Sequence, residues 1–250
     1  MTGMRRNVMI GVAVSLLFVG VGCSGGGNFR DAGRARRLMD LAAVEAGKID
    51  TSAERLARQL RIADMQIDRG DRAGAMDTLG GARTTLQTDG RQLSEHLHIA
   101  GWVSVCELAR RAGRQDFAAG ALDEALQLLR AVEPAPQRCQ YVLGVAHEVR
   151  RLRGKEASAD LLREATAWAV DLSPETRRRK ALRGIAADLF LCDDYDGGML
   201  AIRKDAEPRW RSDTLAELAA EATPYKYGSV WFGRSMDYQA TFKQFSGAGK

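Results

Sequence analysis

The side chains that could bind a metal ion or attack a substrate are few in this sequence. His96 and His98 lie two positions apart, so on one helix they would point about 200° apart and could not chelate the same ion. The third histidine, His147, has no obvious carboxylate partner, and no HExxH, CxxC or Walker-type pattern occurs. We therefore expect no catalytic residue, no metal site and no cofactor, and the residues favour a binding protein over an enzyme.

The segment CDDYDGG at 192–198 partly matches a calcium-binding loop. An EF-hand register through Asp196 and Gly197 would place Cys192 at the first ligand position and Arg203 at the last. Neither side chain is a calcium ligand of the kind that such a loop requires. The segment is therefore predicted to be a turn between two helices.

Cys23 differs from the other three cysteines because it ends an apolar run. Residues 8–21 are apolar apart from Ser15 and two glycines, and two arginines precede them. A basic start and about 14 apolar residues are typical of a signal peptide, since a spanning helix needs roughly 20. Residues 1–22 are therefore predicted to be a signal peptide.

The residues Val-Gly-Val-Gly-Cys at 19–23 resemble the lipobox of bacterial lipoproteins. The resemblance implies cleavage before Cys23 and a diacylglycerol on its sulfur, although Gly20 stands where the lipobox usually has leucine. Residues 23–29 would then form a flexible tether. Ser24, in place of an aspartate, favours the outer membrane, with the protein facing the periplasm. An ordinary cleaved signal and an uncleaved anchor are the alternatives.

Removing the signal peptide leaves a mildly basic chain of ordinary domain size. Its 228 residues suffice for one domain or one repeat array, and its formal charge falls from +5 to +3. That charge is too small to indicate a nucleic-acid partner. The remaining cysteines, Cys106, Cys139 and Cys192, are too few and too scattered for a disulfide framework, and we expect them to pack as small buried residues.

The sequence predicts an all-α segment over residues 30–222. Alanine, leucine, arginine and glutamate dominate, and apolar residues recur every three or four positions, which predicts about ten helices of 12–20 residues. Thr51 and Glu54 form a capping-box pattern, and Ser173 with Pro174 is typical of another helix start.

One pattern recurs along these helices. A first helix carries a small residue among larger apolar ones, a turn with Gly or Asp follows, and a second helix carries Ala and Leu. This pattern resembles the tetratricopeptide repeat, and the resemblance implies a solenoid of about 4–5 degenerate helical hairpins over residues 30–222. An irregular helical bundle is the alternative. The small residues that anchor the copies are Ala63, Cys106, Ala146, Ala186 and Ala219.

The resemblance also implies that the first helices line a concave face. The repeat positions place a set of basic side chains there, which predicts a groove for other proteins or acidic peptide segments, because arginine forks grip carboxylates. The alternative is that these are ordinary solvated positions. The predicted groove residues are Arg110, Arg111, His147, Arg150, Arg151, Lys180 and Arg183.

Residues 223–250 form a separate aromatic-rich segment, with seven of the 16 aromatic residues of the chain. Such a segment is not a solvating tail, and we expect it to cap the array. Docking on a partner and low order are the alternatives. Together these features predict a membrane-anchored periplasmic scaffold for protein–protein interaction in the cell envelope, of the kind that includes envelope assembly factors. A helical envelope enzyme or accessory subunit with a site on the concave face is one alternative. A structural protein that contacts cell-wall polymer is the other.

Overall fold

The computed structural model describes residues 32–221. The predicted signal peptide at 1–22, Cys23 with the tether at 23–29, and the aromatic segment at 223–250 lie outside these residues. Within the described part of the chain the fold is all-helical, with no strand. None of the helices in residues 32–221 is long and apolar enough to cross a membrane.

Ten α-helices and two short 3₁₀ turns make up the described residues. The 3₁₀ turns lie at Gly90–Gln92 and Ala135–Gln140. The α-helices are α1 (Ala32–Gly47), α2 (Ser52–Asp68), α3 (Arg72–Asp89), α4 (Glu95–Arg111), α5 (Gln115–Ala131), α6 (Val142–Arg153), α7 (Lys155–Val170), α8 (Glu175–Leu191), α9 (Tyr195–Arg203) and α10 (Pro208–Glu221).

The helices from α2 to α9 form four consecutive hairpins, and each tight turn contains a residue in the left-handed region. Gly70, Gly113 and Gly154 have φ angles of 78°, 82° and 97°, and Asp193 has a φ of 64°. Glycine adopts this region without steric cost, and Asp is among the few other residues that tolerate it. These are the turns that the repeat pattern predicts, including the one in the segment that partly matches a calcium loop.

Each hairpin packs on the next in chain order. The second helix of one hairpin contacts the first helix of the following one, and the first helices α2, α4, α6 and α8 also contact each other in that order. Two glycines lie where first helices come close. A Cβ at Gly101 would approach Leu56 to 3.0 Å, and one at Gly184 would approach Leu143 to 2.7 Å. A single core of buried side chains therefore runs from α2 to α10.

Four of the five small residues predicted at helix crossings are fully buried: Ala63, Cys106, Ala146 and Ala186. The prediction is wrong for Ala219, which is exposed. Thr214 and Leu218 are the buried residues of α10, so the pattern in that helix is displaced by one position. The three cysteines of the described residues are buried and unpaired, as their expected packing role requires. Burial raises the pKa of the Cys139 thiol to about 12.

The helix starts lie close to where the sequence predicts them, but the capping contacts differ. Thr51 is the N-cap of α2, yet its side chain makes no capping hydrogen bond, and Glu54 lies 3.5 Å from Arg58 instead. Helix α8 begins at Glu175 with Pro174 as its N-cap, one residue later than expected. The position of a start was therefore predicted better than the bonds that stabilise it.

Candidate functional site

Four of the predicted groove residues come together where α4 meets α6. Arg110 lies in the last turn of α4, His147 lies in the middle of α6, and Arg150 and Arg151 lie in its last turn. We call these four residues the α4–α6 arginine cluster. They converge because α4 and α6 are neighbouring first helices and because their last turns carry basic residues, which the helix dipole favours.

A buried carboxylate lies at the base of this cluster. Glu148 is only 2% exposed, and Arg110 Nε donates a hydrogen bond of 3.0 Å to its Oε2. Cys106 Sγ also donates to Glu148 Oε2, at 3.8 Å, and burial followed by the Glu148 charge raises the pKa of this thiol. A buried thiol with a raised pKa is a poor nucleophile, so Cys106 fits packing rather than catalysis.

The positive charges of the cluster act on the imidazole of His147. Burial, followed by the charges of Arg151, Arg150 and Arg110 in that order of effect, lowers its pKa to about 4. The ring also has a carboxylate neighbour that the sequence did not suggest, because Glu148 Oε1 lies 4.0 Å from Nε2. Even with this carboxylate nearby, the imidazole is held neutral. With three guanidinium groups against one buried carboxylate, the cluster carries a net positive charge.

Arg110 retains hydrogen-bonding capacity beyond Glu148. Its Nη2 is buried and has no acceptor among the side chains and backbone of residues 32–221. A buried guanidinium N–H without an acceptor is costly, and a carboxylate oxygen is the acceptor that guanidinium groups bind best.

A second buried acid lies on α8, the first helix of the next hairpin. Asp188 on α8 is buried, and this burial raises its pKa to about 6, while the Arg150 charge partly offsets the rise. Arg150 therefore acts electrostatically on Asp188, and its Nη2 also lies 3.4 Å from His147 Nδ1.

The other three predicted groove residues are arranged differently. Arg111 turns towards α2, where it pairs with Asp64 and Asp68. Arg183 pairs with Glu217 and Glu221 of α10. Lys180 is exposed on α8. Carboxylates of neighbouring helices therefore neutralise Arg111 and Arg183, and the positive charge concentrates on the α4–α6 arginine cluster.

Sequence reasoning missed the two buried acids. A signal for them exists, since Glu148 lies on the apolar side of α6 between Val145 and Val149, and Asp188 lies similarly between Ile185 and Leu189. An acid on the buried side of a helix needs a partner, and the basic residues that end the preceding first helix are close enough to supply one.

No three His, Cys, Asp or Glu side chains within residues 32–221 are grouped to hold a metal ion. The guanidinium groups of the cluster are hydrogen-bond donors, a chemistry that suits anions. No protein-family model matches the chain, and comparison with curated proteins gives no significant match.

Proposed function

We propose that this protein is a lipid-anchored scaffold of the bacterial envelope that binds acidic segments of other proteins. In this proposal the signal peptide directs export, and a lipid on Cys23 holds the chain on the outer membrane, facing the periplasm. The stacked hairpins then form a tetratricopeptide-like solenoid whose first helices bind the partner.

The order of the hairpins supports the repeat interpretation. Each of four consecutive hairpins has a positive φ at its turn, and the first helices carry a buried small residue at 63, 106, 146 and 186. The first helices contact each other in chain order. Such an array presents a continuous surface to an extended partner.

The single observation that carries the binding proposal is the convergence of Arg110, Arg150 and Arg151 around His147. Two helices contribute these groups, and all three act electrostatically on His147. An acidic side chain of a partner would meet the net positive charge of the cluster.

A titration with a fluorescent glutamate-rich peptide tests this proposal. The purified full chain in mild detergent should bind the peptide, and binding should weaken as added salt shortens the Debye length below about 8 Å. The structure suggests reversing Arg151 and Lys180, because both are exposed, whereas reversing Arg150 would place a new acid near Asp188. Arg151→Glu with Lys180→Glu should weaken binding at least about tenfold.

The matched control is Arg91→Glu with Arg130→Glu. These residues are also exposed, but they lie outside the first helices, and the pair changes the net charge equally. The control should bind the peptide like the wild-type chain. Equal losses in both variants would mean that only overall charge matters, and unchanged binding in both would eliminate the groove.

A further inference from the structure

Helix α1 exposes large apolar side chains to solvent. Leu38, Leu41 and Val44 are 57%, 62% and 58% exposed, and no other helix within residues 32–221 exposes three large apolar residues. Their spacing of three positions places them along one side of the helix. We call these three residues the α1 stripe.

The opposite side of α1 faces the array and is built mainly from small residues. Met39 and Ala46 are buried, Ala35 and Ala43 are half-buried, and α1 packs on α2 and α3. A helix that only completed the end of the array would direct its leucines inward. The arrangement in α1 is the reverse, which indicates that the stripe has a partner of its own.

Basic residues flank the α1 stripe on the same side of the helix. At 100° per residue, Arg34 and Arg37 share its side near the start of α1, and Lys48 follows at the end. The first turn of α1 has no acidic residue, so Arg34 in that turn opposes the favourable sign of the helix dipole. The acid on that side, Glu45, is paired with Lys48 at 2.7 Å. Apolar residues bordered by basic ones suit an anionic lipid surface.

The position of α1 in the chain points to the same partner. Nine positions separate Cys23 from Ala32, the first residue of α1, and a fully extended chain of that length spans at most about 30 Å. A lipid on Cys23 would therefore keep α1 close to the bilayer, where binding of the stripe becomes an intramolecular event at high effective concentration.

We propose that the α1 stripe inserts into the interfacial region of the bilayer that holds Cys23, with Arg34 and Arg37 at the lipid headgroups. This inference rests on the lipid anchor proposed above. Its consequence is a fixed orientation, because the array would be held at α1 as well as at the lipid anchor. The hairpins would then extend from the membrane with the α4–α6 arginine cluster at a constant distance from it.

The test uses the full chain, reconstituted into vesicles of phosphatidylcholine and phosphatidylglycerol. An environment-sensitive fluorophore is attached to a cysteine introduced as Leu41→Cys, or as Leu200→Cys in the control, which replaces an exposed leucine on α9. The described native cysteines are buried, and the parent chain provides the labelling blank. Flotation of the vesicles shows separately whether the chain is membrane-bound.

The probe at Leu41→Cys should shift to shorter emission wavelength with vesicles and be quenched by nitroxide-labelled lipids, whereas the Leu200→Cys probe should change in neither respect. A chain that floats while the Leu41→Cys probe stays in water would overturn this inference and leave the anchor intact. A chain that does not float would overturn both. A Leu41→Cys probe already shielded before vesicles are added would also overturn the inference, because another segment or a second copy would then cover the stripe.

The basic residues provide a second measurement on the same labelled chain. Arg34→Gln with Arg37→Gln should reduce lipid quenching at Leu41→Cys at least about tenfold in mixed vesicles, because attraction to anionic lipid is lost. The same pair should have little effect in vesicles of phosphatidylcholine alone. An equal loss in both kinds of vesicle would contradict the role assigned to headgroup charge.

Discussion

Arg110 on α4 pairs with Glu148 on α6, 38 positions later in the chain. Arg150 and Asp188 have the same separation on the next two first helices and interact electrostatically. Arg183 and Glu221 repeat it once more, from α8 to α10. Basic residues on α4, α6 and α8 thus each face an acid on α6, α8 and α10, respectively. This relationship ties the stacking of the hairpins to charge as well as to apolar packing.

Replacing Arg110 with methionine should strongly destabilise the fold. Arg110→Met leaves Glu148 buried without its guanidinium partner, and breaking a buried ion pair from one side costs about 3–5 kcal/mol. Urea unfolding followed by circular dichroism measures the change in the free energy of unfolding.

Two further variants show whether the effect arises from the orphaned acid. Arg111→Met is the control, because its partners Asp64 and Asp68 are 47% and 65% exposed, and it should cost only about 0–1 kcal/mol. Arg110→Met with Glu148→Leu should recover most of the lost stability. A double variant as unstable as Arg110→Met alone would mean that Glu148 is not the cause.

The buried acid Asp188 should make stability fall as the pH rises. Burial raises its pKa to about 6 in the folded chain, against an ordinary value of 3.8. The folded state therefore binds the proton more tightly, so this group stabilises the fold below pH 4 and loses that contribution as the pH rises through 6. The contribution is about 1–3 kcal/mol.

His147 should have the opposite effect on the dependence of stability on pH. Its pKa is lowered to about 4 from 6.5, so the unfolded chain binds more protons between these values and stability rises with pH across that window. As the pH rises from 4 to 6, the free energy of unfolding of Asp188→Asn should increase relative to that of the wild type. The free energy of unfolding of His147→Gln should decrease relative to wild type over the same range. Urea unfolding at several pH values measures both differences. Parallel pH profiles for both variants and the wild type would contradict the two shifts.

The sequence predicted the hairpins better than it predicted the site, and the reason is physical. Gly70, Gly113 and Gly154 terminate helices through their own backbone freedom, so a turn can be located without knowledge of its neighbours. The destination of a long arginine depends on which helix packs beside it. Arg111 and Arg110 are adjacent in sequence, yet the first turns back to α2 and the second forward to α6.

Polar residues on the buried side of α2 are another case in which the sequence did not predict the contacts. Gln59 and Gln66 are polar, yet both are buried. Their amide oxygens accept hydrogen bonds from Thr85 and Thr78 of α3, at 3.1 and 2.8 Å. The sequence contained both partners, but only the antiparallel packing of α2 and α3 pairs them.

Removing the hydroxyl of Thr78 should destabilise the first hairpin. Thr78→Val preserves side-chain shape but leaves the buried Gln66 Oε1 without its donor, at a cost of about 1–3 kcal/mol. Thr84→Val on the same helix is the control, because its hydroxyl is exposed and bonds only within α3. Adding Gln66→Leu to Thr78→Val should reduce the loss. Thermal unfolding of the variants provides the comparison, and equal losses for Thr78→Val and Thr84→Val would refute the explanation.

Enlarging a small residue at a helix crossing should disturb the stacking. Ala186 is fully buried on α8, so Ala186→Leu should cost about 1–3 kcal/mol through overpacking. Ala219→Leu makes the same change at an exposed position of α10 and should shift the free energy of unfolding by no more than about 0.5 kcal/mol. Urea unfolding separates the two. If Ala186→Leu leaves the free energy of unfolding unchanged, the helix crossing at Ala186 has space for a larger side chain.

Changing Cys23 should abolish lipid attachment. The lipobox-like residues 19–23 predict a thioether to diacylglycerol on this sulfur and cleavage just before it. Cys23→Ala has no sulfur to modify, so the precursor should keep residues 1–22 or the chain should leave the membrane. Incorporation of radiolabelled palmitate and the mass of the purified chain report these outcomes. Ser24→Ala retains the cysteine and should be processed like the wild type. If Cys23→Ala is cleaved normally and stays membrane-bound, the anchor is not a lipid on this residue.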